Sequence, residues 1–258
     1  MSDVIQPEVK PEKGMRAELM VTCLADAFYP AVGLAAAECL ERVGLKVHFD
    51  ERQTCCGQPA FNSGDRAAAR KVARHTIEVF RHAELVVIPS GSCASMVRWG
   101  YPQLFRGERD EADAIALAKR TFELSELLCL MSDNQWEGRY ARRITFHRSC
   151  HMRELSPGAR PEDLLRCLDG IEMLDFDTPE QCCGFGGTFA VAFPWTSKTM
   201  GTKKLDALLK PEPEEIISSD MGCLMHLGGM QKKLLSEGKL KKEIPMKHFA
   251  QVLNEAGS

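Results

Sequence analysis

Eight of the eleven cysteines in this 258-residue chain fall into two sets with nearly the same spacing. Cys23 precedes the adjacent pair Cys55-Cys56 by 32 positions, and Cys150 precedes the pair Cys182-Cys183 by 32. Cys93 follows Cys56 by 37 positions, and Cys223 follows Cys183 by 40. Each pair runs directly into a glycine, Gly57 or Gly184. A shift of 127 residues carries three cysteines of the first set onto the second, and a shift of 130 carries the fourth. Self-similarity of this kind marks a duplicated module. Four thiols per half are what one iron–sulfur cluster or one structural zinc ion needs.

Thiolate is the ligand form, and four of them side by side repel one another unless a cation sits among them. Adjacent cysteines reach two irons of one cluster if the backbone turns sharply, which Gly57 and Gly184 permit. Backbone N–H groups in the turn from Cys182 to Gly187 could point at cluster sulfurs, which tunes potential. Zinc is the competing metal, but zinc sites favour C-x-x-C knuckles, and the sequence has none. One iron–sulfur cluster on Cys23, Cys55, Cys56 and Cys93, and another on Cys150, Cys182, Cys183 and Cys223, is therefore the reading the spacing favours. Cys39, Cys129 and Cys167 fall inside predicted helices and read as small buried hydrophobes. His226 follows Cys223 by three residues, and His147 and His151 flank Cys150. Each could serve as a ligand or donor, although the ordinary reading of a lone histidine is a satisfied structural residue.

The elements that must position these thiols alternate between strand and helix. Glu18–Thr22 reads as a buried strand leading into Cys23, Phe28–Val43 as a helix, and Leu45–Phe49 as a strand before Cys55. A helix capped by Asp65 runs to about Ala83, and Leu85–Pro89 is an apolar strand that leads to Cys93. The second half repeats the plan: strand Arg143–His147, helix Pro161–Leu168, strand Ile171–Phe176, helix Thr196–Leu209 and strand Glu215–Ser219. Between the halves, Glu108–Met131 reads as a long amphipathic helix, either continuous or broken, followed by a polar linker at Ser132–Arg139. After Cys223 come a helix to about Ser236, an extended piece at Ile244–Met246 and a closing helix from Phe249. This alternation predicts an α/β fold of two pseudo-repeated Rossmann-like β-α-β modules with parallel sheets. The cysteines would then lie in loops at the carboxyl ends of strands, where such sheets carry their ligand sites. The expected divisions are a mobile tail at 1–16, a first module at 17–105, a connecting helix and linker at 106–140, and a second module at 141–258.

Composition narrows the function class. The formal charge of −3, from 33 basic and 36 acidic residues, gives no nucleic-acid footprint. No signal peptide and no apolar run of transmembrane length is evident, so the cytoplasm is the expected compartment. There, patterned cysteines bind metal or do redox chemistry more often than they form disulfides. No dinucleotide fingerprint, phosphate loop or nucleophile elbow is present, so no organic cofactor motif is found.

Taken together, Val21-Thr22-Cys23, the run from Gln53 through Cys55-Cys56-Gly57-Gln58-Pro59 to Gly64, Gly91-Ser92-Cys93, Ser149-Cys150, the run from Cys182 to Phe189, and Cys223-Leu224 resemble the cysteine-rich CCG-domain family. Within it the chain is most similar to the lactate utilisation protein A group, over roughly residues 17–253. The family also includes the CCG-bearing component of heterodisulfide reductase and the iron–sulfur components of glycolate oxidase and anaerobic glycerol-3-phosphate dehydrogenase. The resemblance implies a part in oxidising L-lactate to pyruvate, together with two partner proteins, one of them cluster-bearing. It also marks a departure. Heterodisulfide reductase relatives end each half in C-x-x-C, whereas here Met96 and His226 hold those final positions. Four thiols suit a [4Fe–4S] cluster in each half, or a site with an open coordination position. Two rivals remain at this point. One is a non-catalytic, metal-stabilised scaffold. The other is a thiol–disulfide protein in which an adjacent pair cycles as a strained, oxidising couple.

Overall fold

The computed structural model describes residues 4–153, 155 and 160–257; residues 1–3 of the expected tail lie outside them. Two four-stranded parallel sheets carry the fold. The first contains β1 (Arg16–Leu19), β2 (Lys46–His48), β3 (Leu85–Ile88) and β4 (Thr121–Glu123), in the order β2-β1-β3-β4. The second contains β5 (Arg143–His147), β6 (Glu172–Met173), β7 (Glu215–Ser218) and β8 (Met246–His248), in the order β6-β5-β7-β8. All six strand pairings are parallel. The two sheets thus share one topology, with an order reversal between the first two strands of each.

β3 and β7 are buried along their whole length, as expected of interior parallel strands covered on both faces. β2 and β6 are short, partly exposed edges. The helix Arg66–Val79 shows how the covering helices are made. Asp65 Oδ1 accepts from Ala68 N at 2.9 Å and caps it, while Ala69, Ala73, Thr76 and Ile77 form the face turned inward. The helix Pro30–Arg42 starts on proline and buries Val32, Ala35, Ala36, Cys39 and Leu40. It packs on the closing helix Phe249–Ala256 of the other half, so one hydrophobic core runs through both sheets.

Three segments differ from the sequence reading. The expected helix at 108–131 is broken into two, Glu111–Ala118 and Leu124–Met131, and the break holds an unexpected strand, β4. β4 pairs with β3 through Val87 and Phe122, so part of the expected connector completes the first sheet. Residues 4–9 of the expected tail lie against the first half. Ile5 N donates to Arg98 O at 3.2 Å, and Arg98 returns bonds to Ile5 O and Gln6 Oε1 at 2.8 and 2.6 Å. Arg98 is fully buried and also pairs with Glu126 at 2.6 Å. Cys39 and Cys129 are buried as read, but Cys167, at the end of the short helix Pro161–Arg166, is exposed because Leu164, Leu165 and Leu168 take the inward face. Among the described residues no helix is long and apolar enough to cross a membrane.

Candidate metal centre

Every patterned cysteine follows the carboxyl end of a strand, though several sit in helix starts rather than loops. Beyond β1, Cys23 opens the helix Cys23–Phe28. Beyond β2 comes the turn Cys55-Cys56-Gly57, and Gly57 heads the helix Gln58–Asn62 with φ +84°. Beyond β3, Ser90 caps the helix Gly91–Ser95, its Oγ accepting from Cys93 N at 3.4 Å. The second half repeats this. Cys150 opens a 3-10 turn beyond β5, Cys182-Cys183-Gly184 follows β6, and Asp220 caps the helix Met221–Ser236 that carries Cys223.

Within each half the sulfurs converge. Cys23 Sγ lies 3.6 Å from Cys55 Sγ, and Cys56 Sγ lies 3.3 Å from Cys93 Sγ. Cys183 Sγ lies 3.1 Å from Cys223 Sγ. The glycine after each pair turns its N–H onto the first sulfur, Gly57 to Cys55 at 3.4 Å and Gly184 to Cys182 at 3.3 Å. The thiols of Cys23 and Cys56 donate to Cys55, which with the Gly57 N–H holds it far below the usual thiol range. Cys182 is held low in the same way by Cys150, Cys183 and the Gly184 N–H. Cys56 and Cys183 are pushed up, first because their protons are committed to the neighbouring sulfur and then by burial. Each half therefore gathers four sulfurs with the first of the adjacent pair held toward its thiolate form, a donor set that a metal completes by displacing protons.

All eight cysteines line one cavity of about 380 Å³ beyond the carboxyl ends of strands in both sheets, with Ser90, Ser92, Gln58, His151, Thr188 and Asp220 among its other walls. Asp220 ties the two sites together. It is 4% exposed; its Oδ1 accepts from Gly222 N at 3.0 Å, and its Oδ2 accepts from Ser90 Oγ and Ser92 N at 3.0 and 3.1 Å. One carboxylate thus caps its own cysteine-bearing helix and holds the start of the other. The sequence reading passed over Asp220. The signal was there: Asp220 stands three residues before Cys223 as Ser90 stands three before Cys93, the spacing of an N-cap.

The three histidines near the cysteines separate in the structure. His226 Nε2 meets Ser197 Oγ at 3.3 Å, and that hydroxyl donates to Gly184 O at 2.8 Å, so His226 backs the second turn. His151 is half-buried and sits between the halves, its Nδ1 3.5 Å from Cys150 Sγ and its Nε2 3.5 Å from Gln58 Nε2. His147 is 1% exposed, and neither ring nitrogen has a hydrogen-bond partner. Burial lowers its pKa to about 3, so the ring is neutral at physiological pH. A ring nitrogen of His147 and the sulfurs of Cys183 and Cys223 all lie within 4.8 Å of one another. Soft thiols in two sets of four, a shared cavity and an unpartnered buried imidazole beside two of the sulfurs fit a metal–sulfur group in each half.

The cysteine-rich domain family, CCG, matches residues 17–98 and 144–228. Those two segments contain all eight patterned cysteines. Lactate utilization protein A 2 of Bacillus cereus (strain AH820) is 40% identical over 242 residues, covering 93% of this chain and 98% of that protein. The chain belongs to the lactate utilization protein A family of CCG proteins. A second member, lactate utilization protein A of Geobacillus sp. (strain WCH70), is 41% identical over 243 residues, covering 93% of this chain and 99% of that one. A crystal structure of a hypothetical protein from Helicobacter pylori shares the fold, with a TM-score of 0.67 at 10% identity over 98% of this chain. The chain spans 52% of that protein's length. In this CCG chain β4 and β8 lie outside the two matched segments, so each sheet is completed by a strand beyond its matched segment.

Proposed function

We propose that this chain is an iron–sulfur redox subunit in the oxidation of L-lactate to pyruvate. Cys23, Cys55, Cys56 and Cys93 hold one [4Fe–4S] cluster, and Cys150, Cys182, Cys183 and Cys223 hold the other. The observation that carries this reading is that both sets of four thiols open onto one cavity. Lactate enters through the names of the relatives at about 40% identity. When bound, a [4Fe–4S] cluster supplies one-electron storage at a potential set by its ligands, hydrogen bonds and exposure.

The chain's own residues do the positioning. Gly57 and Gly184 direct backbone N–H groups at the first sulfur of each pair, which stabilises negative charge on it. Asp220 fixes the starts of the two helices that carry Cys93 and Cys223, and so the spacing between the sites. Cys56, Cys93, Cys183 and Cys223 form the buried floor, whereas Cys23 is exposed and Cys55, Cys150 and Cys182 are half-buried toward the mouth. That gradient suits electron exchange with partner proteins at the mouth while water is kept from the floor. The partners are two other lactate-utilisation proteins, one of them cluster-bearing, and the compartment is the cytoplasm.

A growth experiment tests the assignment. Cells that carry only a Cys183→Ser copy of this chain are expected to lose growth on L-lactate and to keep growth on pyruvate. Unimpaired growth on lactate contradicts the proposal.

A further inference from the structure

The two sites are not equivalent, and the difference lies at the end of the strand that begins each half. β5 ends on His147, in register with Ser218 of β7. The repeat shift of 127 places Met20 at the matching position after β1, where Met20 N donates to Val87 O of β3 at 2.9 Å. Both side chains are 1% exposed. Met20 shares a buried cluster with Cys56 and Cys93, so this position offers the first site a thioether, which has no proton to donate, and the second an imidazole.

A buried polar group without a partner is costly, so native chains rarely leave one unless something else satisfies it. His147 leaves both Nδ1 and Nε2 without a partner. Ser218, its register partner on β7, is already committed, since Ser218 Oγ donates to the carbonyl of His147 itself at 2.7 Å. What the ring does approach is the Cys183–Cys223 sulfur pair. Four cysteines already supply four ligand positions in this half, so the group left for a fifth donor is sulfur rather than metal.

We propose that His147 donates a ring N–H to sulfur of the metal–sulfur group held by Cys183 and Cys223, and thereby sets the second site at a higher reduction potential than the first. A hydrogen bond to cluster sulfur stabilises the reduced, more negative form more than the oxidised one. The methionine at the matching place gives the first site no such bond. The inference rests on the iron–sulfur reading above and adds an order to its two sites: electrons supplied one at a time fill the second site before the first.

The test is an EPR-monitored reductive titration with dithionite on the full chain, purified without oxygen, with iron measured on every sample. Wild type is expected to reduce in two resolved steps. His147→Met, which copies the residue the first half buries at this place, is expected to move the upper step down toward the lower one and leave the lower step in place. His147→Gln retains an N–H donor and is expected to keep much of the separation. Met20→His is expected to raise the lower step. Pulsed EPR on wild type should show weak nitrogen coupling to one site. An upper step that stays put in His147→Met at full iron content overturns the inference, and so does the strong coupling of a direct iron–nitrogen bond. If His147→Met does not load its second site, Met20→His decides: a lower step that fails to rise overturns the inference. Wild-type protein without iron instead sinks the cluster reading, and the iron assay shows that before any potential is read.

Discussion

Replacing Asp220 with alanine is expected to weaken both metal sites at once, although the residue belongs to only one half. The carboxylate accepts three hydrogen bonds, from Gly222 N, Ser92 N and Ser90 Oγ. Removing it leaves buried donors unpaired, each at a cost of roughly 1–3 kcal/mol. Even without full additivity, a loss of about 3 kcal/mol is a large part of the ~5–15 kcal/mol that a domain has. Asp220→Asn keeps one oxygen but turns an NH2 toward donors on one side, so an intermediate loss is expected. Ser90→Ala removes one cap and is expected to cost about 1 kcal/mol, felt mainly in the first half. Urea midpoints and metal content per half measure all three variants. Asp220→Ala with wild-type stability and both sites loaded contradicts the bridging role.

Gly184→Ala is expected to damage its site far more than Gly57→Ala damages the other, although the two glycines are repeat partners. Both have left-handed backbone, φ +85° and +84°, which costs an L side chain about 1–2 kcal/mol. They differ in what a β-carbon meets. At Gly184 it falls 2.7 Å from Ser197 O and 2.8 Å from Met200 Cβ, so a backbone carbonyl stands in the way. At Gly57 it meets Val72 Cγ1 at 3.3 Å, a side-chain methyl that shifts at small cost. To fit alanine at 184, the Cys182–Cys183 turn must move off the helix Pro194–Leu209, and its sulfurs go with it. Metal content resolved by half is expected to show the second site lost in Gly184→Ala and the first largely retained in Gly57→Ala. Equal losses in the two variants would contradict the contact argument.

The sequence made the repeat, the parallel modules and the convergence of cysteines within each half readable, because those follow from local spacing and from β-α-β alternation. β4 was not readable. Thr121-Phe122-Glu123 is three residues long and sits between alanine-rich and leucine-rich stretches whose period reads as helix, so it becomes a strand only through pairing with β3. The packing of residues 5 and 6 was hidden for a related reason, since their partner Arg98 lies more than ninety positions away. Cys167 sits inside a predicted helix, but that helix turns Pro161, Leu164, Leu165 and Leu168 inward and leaves Cys167 off that face. Spacing also could not show that the two cysteine sets share one cavity. That depends on Asp220 reaching Ser90 and Ser92 across the halves.

Metal analysis of protein purified without oxygen tests the central claim most directly, with iron and acid-labile sulfide measured beside an EPR spectrum before and after reduction. Two cubane sites predict about eight irons and about eight sulfides per chain, with [4Fe–4S] signals that change on reduction. Protein that carries zinc or free thiols in place of iron would contradict the account.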